Sequence, residues 1–244
     1  MQVVILCGGQ GTRSYPHTQR VPKALLEVDG LPIVEHVMRI YARHGYRDFV
    51  LSCGYLKEAL FDRYDGRYGH WHVRCVDTGA DADTGDRLYR LRHLLDGTFH
   101  ATYCDGLGDV DLDMVLAGHQ ASGKLCTVTA APLRSQYGLV YATADGTVTG
   151  FEEKPILPEF WINAGFFVFE TAAFDYWLGH NLERDVLPAL ARLRQLRLYR
   201  HRGFWRSMDT YKDQQELNEL WAPYAPHYAP AEAPASPAGA VGWK

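Results

Sequence analysis

The sequence has no apolar run approaching the roughly 18 residues that a membrane-crossing helix needs, which argues against a helical membrane protein. Its first residues, Met1-Gln2-Val3-Val4-Ile5-Leu6, have neither a basic leader nor a small-residue cleavage site. They read as a strand rather than a secretory signal, so a cytoplasmic location is expected. Cysteine is sparse. Cys7, Cys53, Cys75, Cys104 and Cys126 form no Cys-x-x-Cys pair, and four of them lie in strand-like stretches. That usage excludes a disulfide scaffold or zinc ribbon and fits reduced, buried thiols. There is no excess of positive charge: 25 Lys and Arg stand against 29 Asp and Glu, for a net charge of −4. This argues against an extended nucleic-acid surface but does not forbid a local basic pocket for a nucleotide. His70 and His72 flank Trp71 with no third ligand at metal-like spacing, and no Gly-x-Ser-x-Gly elbow marks a serine hydrolase. The 15 tyrosines and 6 tryptophans are scattered, which suits core and pocket walls better than a stacking platform for single strands.

What is present is a chain of ordinary globular composition, 47 % hydrophobic and 22 % charged, whose 244 residues allow a substantial core. Apolar runs and helical patterns alternate through the first half. Strands are expected at 2–7, 47–53, 71–76 and 99–104, with helices at 32–44, 55–64 and 84–95 between them. This order predicts a mainly parallel sheet with helices on both faces, and ligands at the carboxyl ends of the strands. The second half is richer in strands, at 125–131, 138–143, 147–151, 162–170 and 196–201, with helices near 182–194 and 210–221. It is expected to continue the sheet and add an antiparallel piece over the mouth of the site. Residues 222–244 hold five of the twelve prolines amid repeated alanines and read as a flexible tail. One domain is therefore expected over 1–221.

After the first strand comes Gly8-Gly9-Gln10-Gly11-Thr12-Arg13, then Pro22-Lys23. Glycines here let the backbone turn tightly and approach a ligand, which suits phosphate oxygens. A P-loop would need a Gly-Lys-Ser/Thr ending that is missing. A dinucleotide fingerprint fails as well, because Ser14 stands where its last glycine would be. With that fingerprint the reading as a dinucleotide-dependent oxidoreductase falls. Arg13 and Lys23 beside such a loop suit a polyphosphate and the charge that grows as its leaving group departs. Asp105 follows the strand at 99–104, where a phosphate-bound magnesium would touch protein, and Asp209 precedes the last helix. Taken singly, Asp105-Gly106 also reads as a plain turn, and Asp209 or Thr210 as a helix cap.

Together with Glu153-Lys154-Pro155 and Asn163-Ala164-Gly165, these segments resemble, in kind and in order across residues 2 to about 221, the sugar-1-phosphate nucleotidylyltransferase family. Finer features resemble its glucose-1-phosphate cytidylyltransferase branch: "VDTG" at 76–79, "TGDRLYRL" at 84–91, "DGLGDVDL" and "GFWRSMDTYKD". The stretch "SYPHTQRVPKALLEV" is closer to uridylyl and thymidylyl relatives.

The resemblance implies a Rossmann-like three-layer sandwich, with a nucleotide-binding half over about 1–110 and a sugar-phosphate-binding half over about 111–221. It implies nucleotidyl transfer from a nucleoside triphosphate, CTP favoured, to a sugar 1-phosphate, α-D-glucose 1-phosphate favoured. UTP, dTTP or GTP and another sugar or cyclitol phosphate are the alternatives. Carried over residue by residue, Leu6, Gly8, Gly9, Gly11, Thr12, Arg13, Lys23, Thr84, Gly85 and Asp105 would bind the nucleotide, with Arg87 near the base. Gly138, Glu153, Lys154, Asn163 and Gly165 would bind the sugar phosphate; Arg13, Lys23 and Lys154 would be catalytic; Asp105 and Asp209 would hold Mg²⁺; Asp109 is the second choice for a metal or ribose contact. A homo-oligomer is implied, with no nucleic-acid or membrane partner. A non-catalytic nucleotide-sugar-binding relative would be expected to lack one of Arg13, Lys23, Asp105, Lys154 and Asp209, and all five are present.

Overall fold

The structure, a computed structural model, describes residues 1–15 and 17–221. The Pro/Ala-rich stretch 222–244 lies outside the described residues. In chain order the elements are β1 (Gln2–Leu6), β2 (Glu27–Val28), β3 (Leu31–Pro32), α1 (Ile33–Arg43), β4 (Asp48–Cys53), α2 (Lys57–Tyr64), β5 (Gly66–Tyr68), β6 (Trp71–Asp77), α3 (Thr84–Leu91) and β7 (Thr98–Tyr103). Then follow β8 (Gly106–Gly108), α4 (Leu112–Ser122), β9 (Cys126–Arg134), β10 (Leu139–Ala142), β11 (Val148–Glu152), β12 (Ile156–Glu170), α5 (Leu187–Arg192), β13 (Leu196–Arg200), β14 (Trp205–Ser207) and α6 (Tyr211–Trp221).

β1 is central because its residues 3–6 are apolar without interruption, the pattern of a strand covered on both faces. Alternate residues serve opposite layers. Val3 and Ile5 pack with α1, α2, α4 and α6 through Val37, Leu60, Val115 and Leu217. Val4 and Leu6 pack with α3 and α5 through Leu88, Leu91 and Leu190. Nearer the edge, β6 alternates buried Trp71, Val73 and Cys75 with exposed His72 and Arg74, so one face there meets solvent. All five cysteines are free and buried, as their spacing implies.

The eight-stranded sheet has the order β13-β9-β12-β7-β1-β4-β6-β5. β5 and β12 run antiparallel to their neighbours, and the remaining pairs are parallel. The chain winds outward from β1 through β4 to β6, then returns to place β7 on the other side of β1. The switch point of the sheet is therefore between β1 and β7, where a crevice opens at the strands' carboxyl ends.

The second half continues the sheet through β9, β12 and β13, and β10 pairs with β11 as a separate antiparallel ribbon. Besides short strands such as β8 and β14, which the sequence reading did not include, three longer features depart from it. β12 starts at Ile156 rather than near 162, carried past two irregularities in its pairing with β9. The segment read as one helix over 182–194 is a π-helical turn, Leu182–Val186, leading into the short α5 with Pro188 in its first turn. α4 was not anticipated, although Asp111 caps its start by accepting from the Met114 N–H and left-handed Gly123 ends it.

Candidate active site

The glycine loop leaves β1 at the switch point. Gly8 must lack a side chain because a Cβ there would fall 1.9 Å from a guanidinium nitrogen of Arg87. Arg87 is buried, and it donates to the carbonyls of Gly8 and Gly79 (both 2.9 Å) and to the Thr78 hydroxyl (2.9 Å). Burial lowers its pKa, and neighbouring Arg90 adds to the effect. Arg87 thus ties the glycine loop to the 78–80 segment through main-chain carbonyls. Gly11 adopts φ +60, a left-handed conformation that favours glycine, and starts the helical turn carrying Thr12 and Arg13.

The charged centre forms where β1 and β7 end. Asp105 follows β7, and its carbonyl accepts from the Met208 N–H (2.9 Å) while β8 pairs with β14. This pairing, not a tight turn, brings Asp105 beside Asp209. The helix-cap alternative for Asp209 is also resolved. Thr210 Oγ1 accepts from the Asp213 N–H (3.2 Å), and Asp213 accepts from the Thr210 N–H (2.7 Å), a capping box built on Thr210. The Asp209 carboxylate instead meets Lys23 Nζ at 3.2 Å and Arg13 at 2.9 Å, while Asp105 meets the same Lys23 nitrogen at 2.5 Å. Burial on its own would lower the Lys23 pKa, but the Asp105 carboxylate, joined by Asp209, raises it overall. Lys23 therefore stays charged. Asp109 is bound elsewhere, 3.1 Å from His201, outside the cavity.

A cavity of about 580 Å³ opens over this centre. Leu6, Gly8, Gly9, Gly11, Thr12, Arg13, Lys23, Thr84, Asp105, Asn163 and Asp209 line it. Gly85 lies behind the lining: a Cβ there would fall 2.7 Å from the His180 carbonyl oxygen, so this glycine admits the 180–182 segment against α3. Gly138, Glu153, Lys154 and Gly165 are not part of the lining, nor is the ribbon of β10 and β11. Gly138 and Glu153 are neighbours, since a Cβ on Gly138 would come 2.8 Å from the Glu153 carboxylate. Lys154 sits at φ +49. Gly165 is required twice over, by φ +80 and by the Tyr103 ring 2.4 Å from where its Cβ would be.

Sequence reasoning missed Tyr103, Glu183 and Trp205 in the cavity wall. Trp205 lies within the quoted "GFWRSMD" and anchors the wall through its indole N–H on the Ala164 carbonyl (2.8 Å). Tyr103 ends a strand, a position that could have marked it. Glu183 had no spacing signal, because packing alone brings it in.

Residues 2–207 match the family model of nucleotidyl transferases. A glucose-1-phosphate cytidylyltransferase of Salmonella typhimurium is 34 % identical over 252 residues, covering 91 % of this chain and 96 % of that one. The chain belongs to the nucleotidyl transferase family. A UTP–glucose-1-phosphate uridylyltransferase of Synechocystis is 28 % identical over 213 residues, 78 % of this chain and 55 % of that one. Among solved structures, a UDP-glucose pyrophosphorylase from Acinetobacter baumanii shares the fold with a TM-score of 0.73 at 18 % identity, covering 92 % of this chain and 94 % of that one. For a nucleotidyl transferase the donor set is apt. Two carboxylates converge on one cation position with a lysine and an arginine beside them, and hard divalent cations take carboxylate oxygens and leave places for phosphate. The cluster of His44, Asp111 and Asp113, a group of metal-ligand type among the described residues, is not part of the cavity lining. No helix of the described residues is long and apolar enough to cross a membrane.

Proposed function

We propose that this nucleotidyl transferase is a glucose-1-phosphate cytidylyltransferase, which joins CTP and α-D-glucose 1-phosphate to give CDP-glucose and pyrophosphate. The observation that carries the reading is the convergence of Arg13, Lys23, Asp105 and Asp209 at the switch point, in a chain 34 % identical to an enzyme of that name. An anionic oxygen of the sugar phosphate attacks the α-phosphorus in line. The bond to the bridging oxygen of the β-phosphate breaks, and pyrophosphate departs with that electron pair. The nucleophile is already ionised near pH 7, so the protein needs no strong base.

Its task is to align two anions and neutralise growing charge. Lys23 and Arg13 face the triphosphate and stabilise the leaving group. Asp105 and Asp209 are the residues that would hold Mg²⁺, which supplies Lewis-acid neutralisation of phosphate oxygens when bound. Leu6, Gly8, Gly9, Gly11, Thr12 and Thr84 wrap base and phosphates, with Gly85 supporting Thr84 from behind. Asn163 faces the sugar, and Gly138, Glu153, Lys154 and Gly165, which stand outside the cavity lining, are assigned to the sugar side by their motifs alone, Lys154 toward the sugar phosphate. The protein acts in the cytoplasm as a homo-oligomer. The test is pyrophosphate release over a matrix of four triphosphates against several sugar 1-phosphates. Release requires both substrates, is highest for CTP with glucose 1-phosphate, and stops with EDTA. A maximum at another pair reassigns the substrates, and turnover undiminished by EDTA removes the metal.

A further inference from the structure

Glu183 lines the cavity between the α3 end and the β12 wall. One carboxylate oxygen accepts from the Thr84 hydroxyl (2.8 Å), and the other accepts from the Tyr103 hydroxyl. The Tyr103 oxygen in turn accepts from the amide Nδ2 of Asn163 (3.2 Å), and Asn163 Oδ1 accepts from the Gly165 N–H (2.8 Å). On the other branch, the Thr84 oxygen accepts from the Leu182 N–H (3.0 Å).

The direction of this chain follows from its chemistry. A hydroxyl has one hydrogen, and both hydroxyls give theirs to Glu183, one to each carboxylate oxygen. Tyr103 is then left with lone pairs toward Asn163, and the amide turns its N–H side to Tyr103 and its oxygen to the Gly165 N–H, so the two contacts agree. Burial and the nearby Glu183 charge push the Tyr103 pKa up, keeping the hydroxyl a donor. The Glu183 segment is itself firmly seated. His180 is 2.9 Å from Asp86, Asn181 Nδ2 donates to Asp83 (2.9 Å), and the Asn181 side chain caps the π-helical turn. Wide helical turns of this kind are frequent at functional sites.

We propose that Glu183 is a positioning residue of the transfer site: through Tyr103 it holds in place the Asn163 amide, whose oxygen already faces the Gly165 N–H, and so steadies the donor and acceptor this wall offers to the hydroxyls of the sugar 1-phosphate. This rests on the reading of the site as a sugar-1-phosphate nucleotidylyltransferase. Glu183→Gln has one acceptor oxygen for two hydroxyl donors, and Tyr103→Phe removes the middle of the chain. Both variants should raise KM for the sugar 1-phosphate about tenfold, the scale of one hydrogen bond involving a charged group. For Tyr103→Phe, which leaves the Thr84 contact in place, the dissociation constant of CTP, measured without sugar phosphate, and the thermal midpoint should stay near wild type; Glu183→Gln also loosens Thr84 and is compared on the sugar KM alone. Glu183→Asp, with two acceptors, should recover part of the loss. The double variant should be no worse than either single one, because both break the same chain. Equal losses of CTP and sugar-phosphate affinity in Tyr103→Phe, or additive effects on the sugar KM, overturn the positioning role. The wild-type rate in the same assay reports on the underlying reading: a wild type that releases no pyrophosphate with any pair overturns both, whereas unchanged sugar KM in active variants overturns only the role of Glu183.

Discussion

At the residue scale, the decisive group is Lys23, the one side chain within reach of both Asp105 (2.5 Å) and Asp209 (3.2 Å) among the ion pairs described. Its neighbours hold it charged, and in the proposed reaction that charge faces the leaving group. Lys23→Ala should lower kcat by about 10² to 10³, the usual loss when an electrostatic stabiliser is removed, with far-UV circular dichroism unchanged. A rate within a few-fold of wild type would remove Lys23 from catalysis. The polar centre was legible in the sequence because Arg13, Lys23, Asp105 and Asp209 stand in motifs of fixed order. Glu183 was not legible, since its place in the wall depends on how residues 180–185 pack against α3, a contact between positions about a hundred residues apart. The capping of α6 shows the same limit: both Asp209 and Thr210 are good caps by composition, and only the paired bonds between Thr210 and Asp213 assign the role.

At the scale of elements, hydrophobic period predicts what is long and buried. β1, α1, β4, β6 and β7 fall where the pattern puts them, because each sheds water through a continuous face. The pattern misses elements fixed by partners. β8 and β14 are three residues each and exist by pairing with one another. α4 carries Gly118 at its middle, where the Arg197 guanidinium lies 2.5 Å from a would-be Cβ, and a mid-helix glycine weakens the local helical signal although Asp111 and Gly123 mark the ends. Gly85 gives an element-scale test. Gly85→Ala would push a methyl group against the His180 carbonyl and lift the 180–183 segment from α3. The expected cost is about 1 to 3 kcal/mol, the range for overpacking a close contact, read from denaturant unfolding. A neutral result would mean that this docking is loose.

At the scale of the molecule, winding order decides where chemistry can occur. β1 and β7 flank the switch point, so the residues that follow them, the glycine loop and Asp105, share one crevice although about a hundred residues separate them. The same tight core has a cost in acid. His100 is buried against the rings of Tyr41 and Tyr46, with centroids 5.3 and 4.6 Å away, and burial above all pushes its pKa down to about 3. In the unfolded chain a histidine titrates near 6.5. The stability that neutral His100 protects is complete above that value. It declines as pH falls toward the folded pKa, because the unfolded state binds the proton first, by about 1.4 kcal/mol per pH unit at the steepest. His100→Phe should flatten the pH dependence of unfolding free energy between about pH 6 and 4; an unchanged slope would place the acid sensitivity elsewhere. The central claim, a two-substrate nucleotidyl transfer at this crevice, is tested most directly by pyrophosphate release from CTP and glucose 1-phosphate. Release that requires both substrates, exceeds every other pairing and disappears with EDTA is the predicted result; no release from any pairing of triphosphate and sugar 1-phosphate would contradict it.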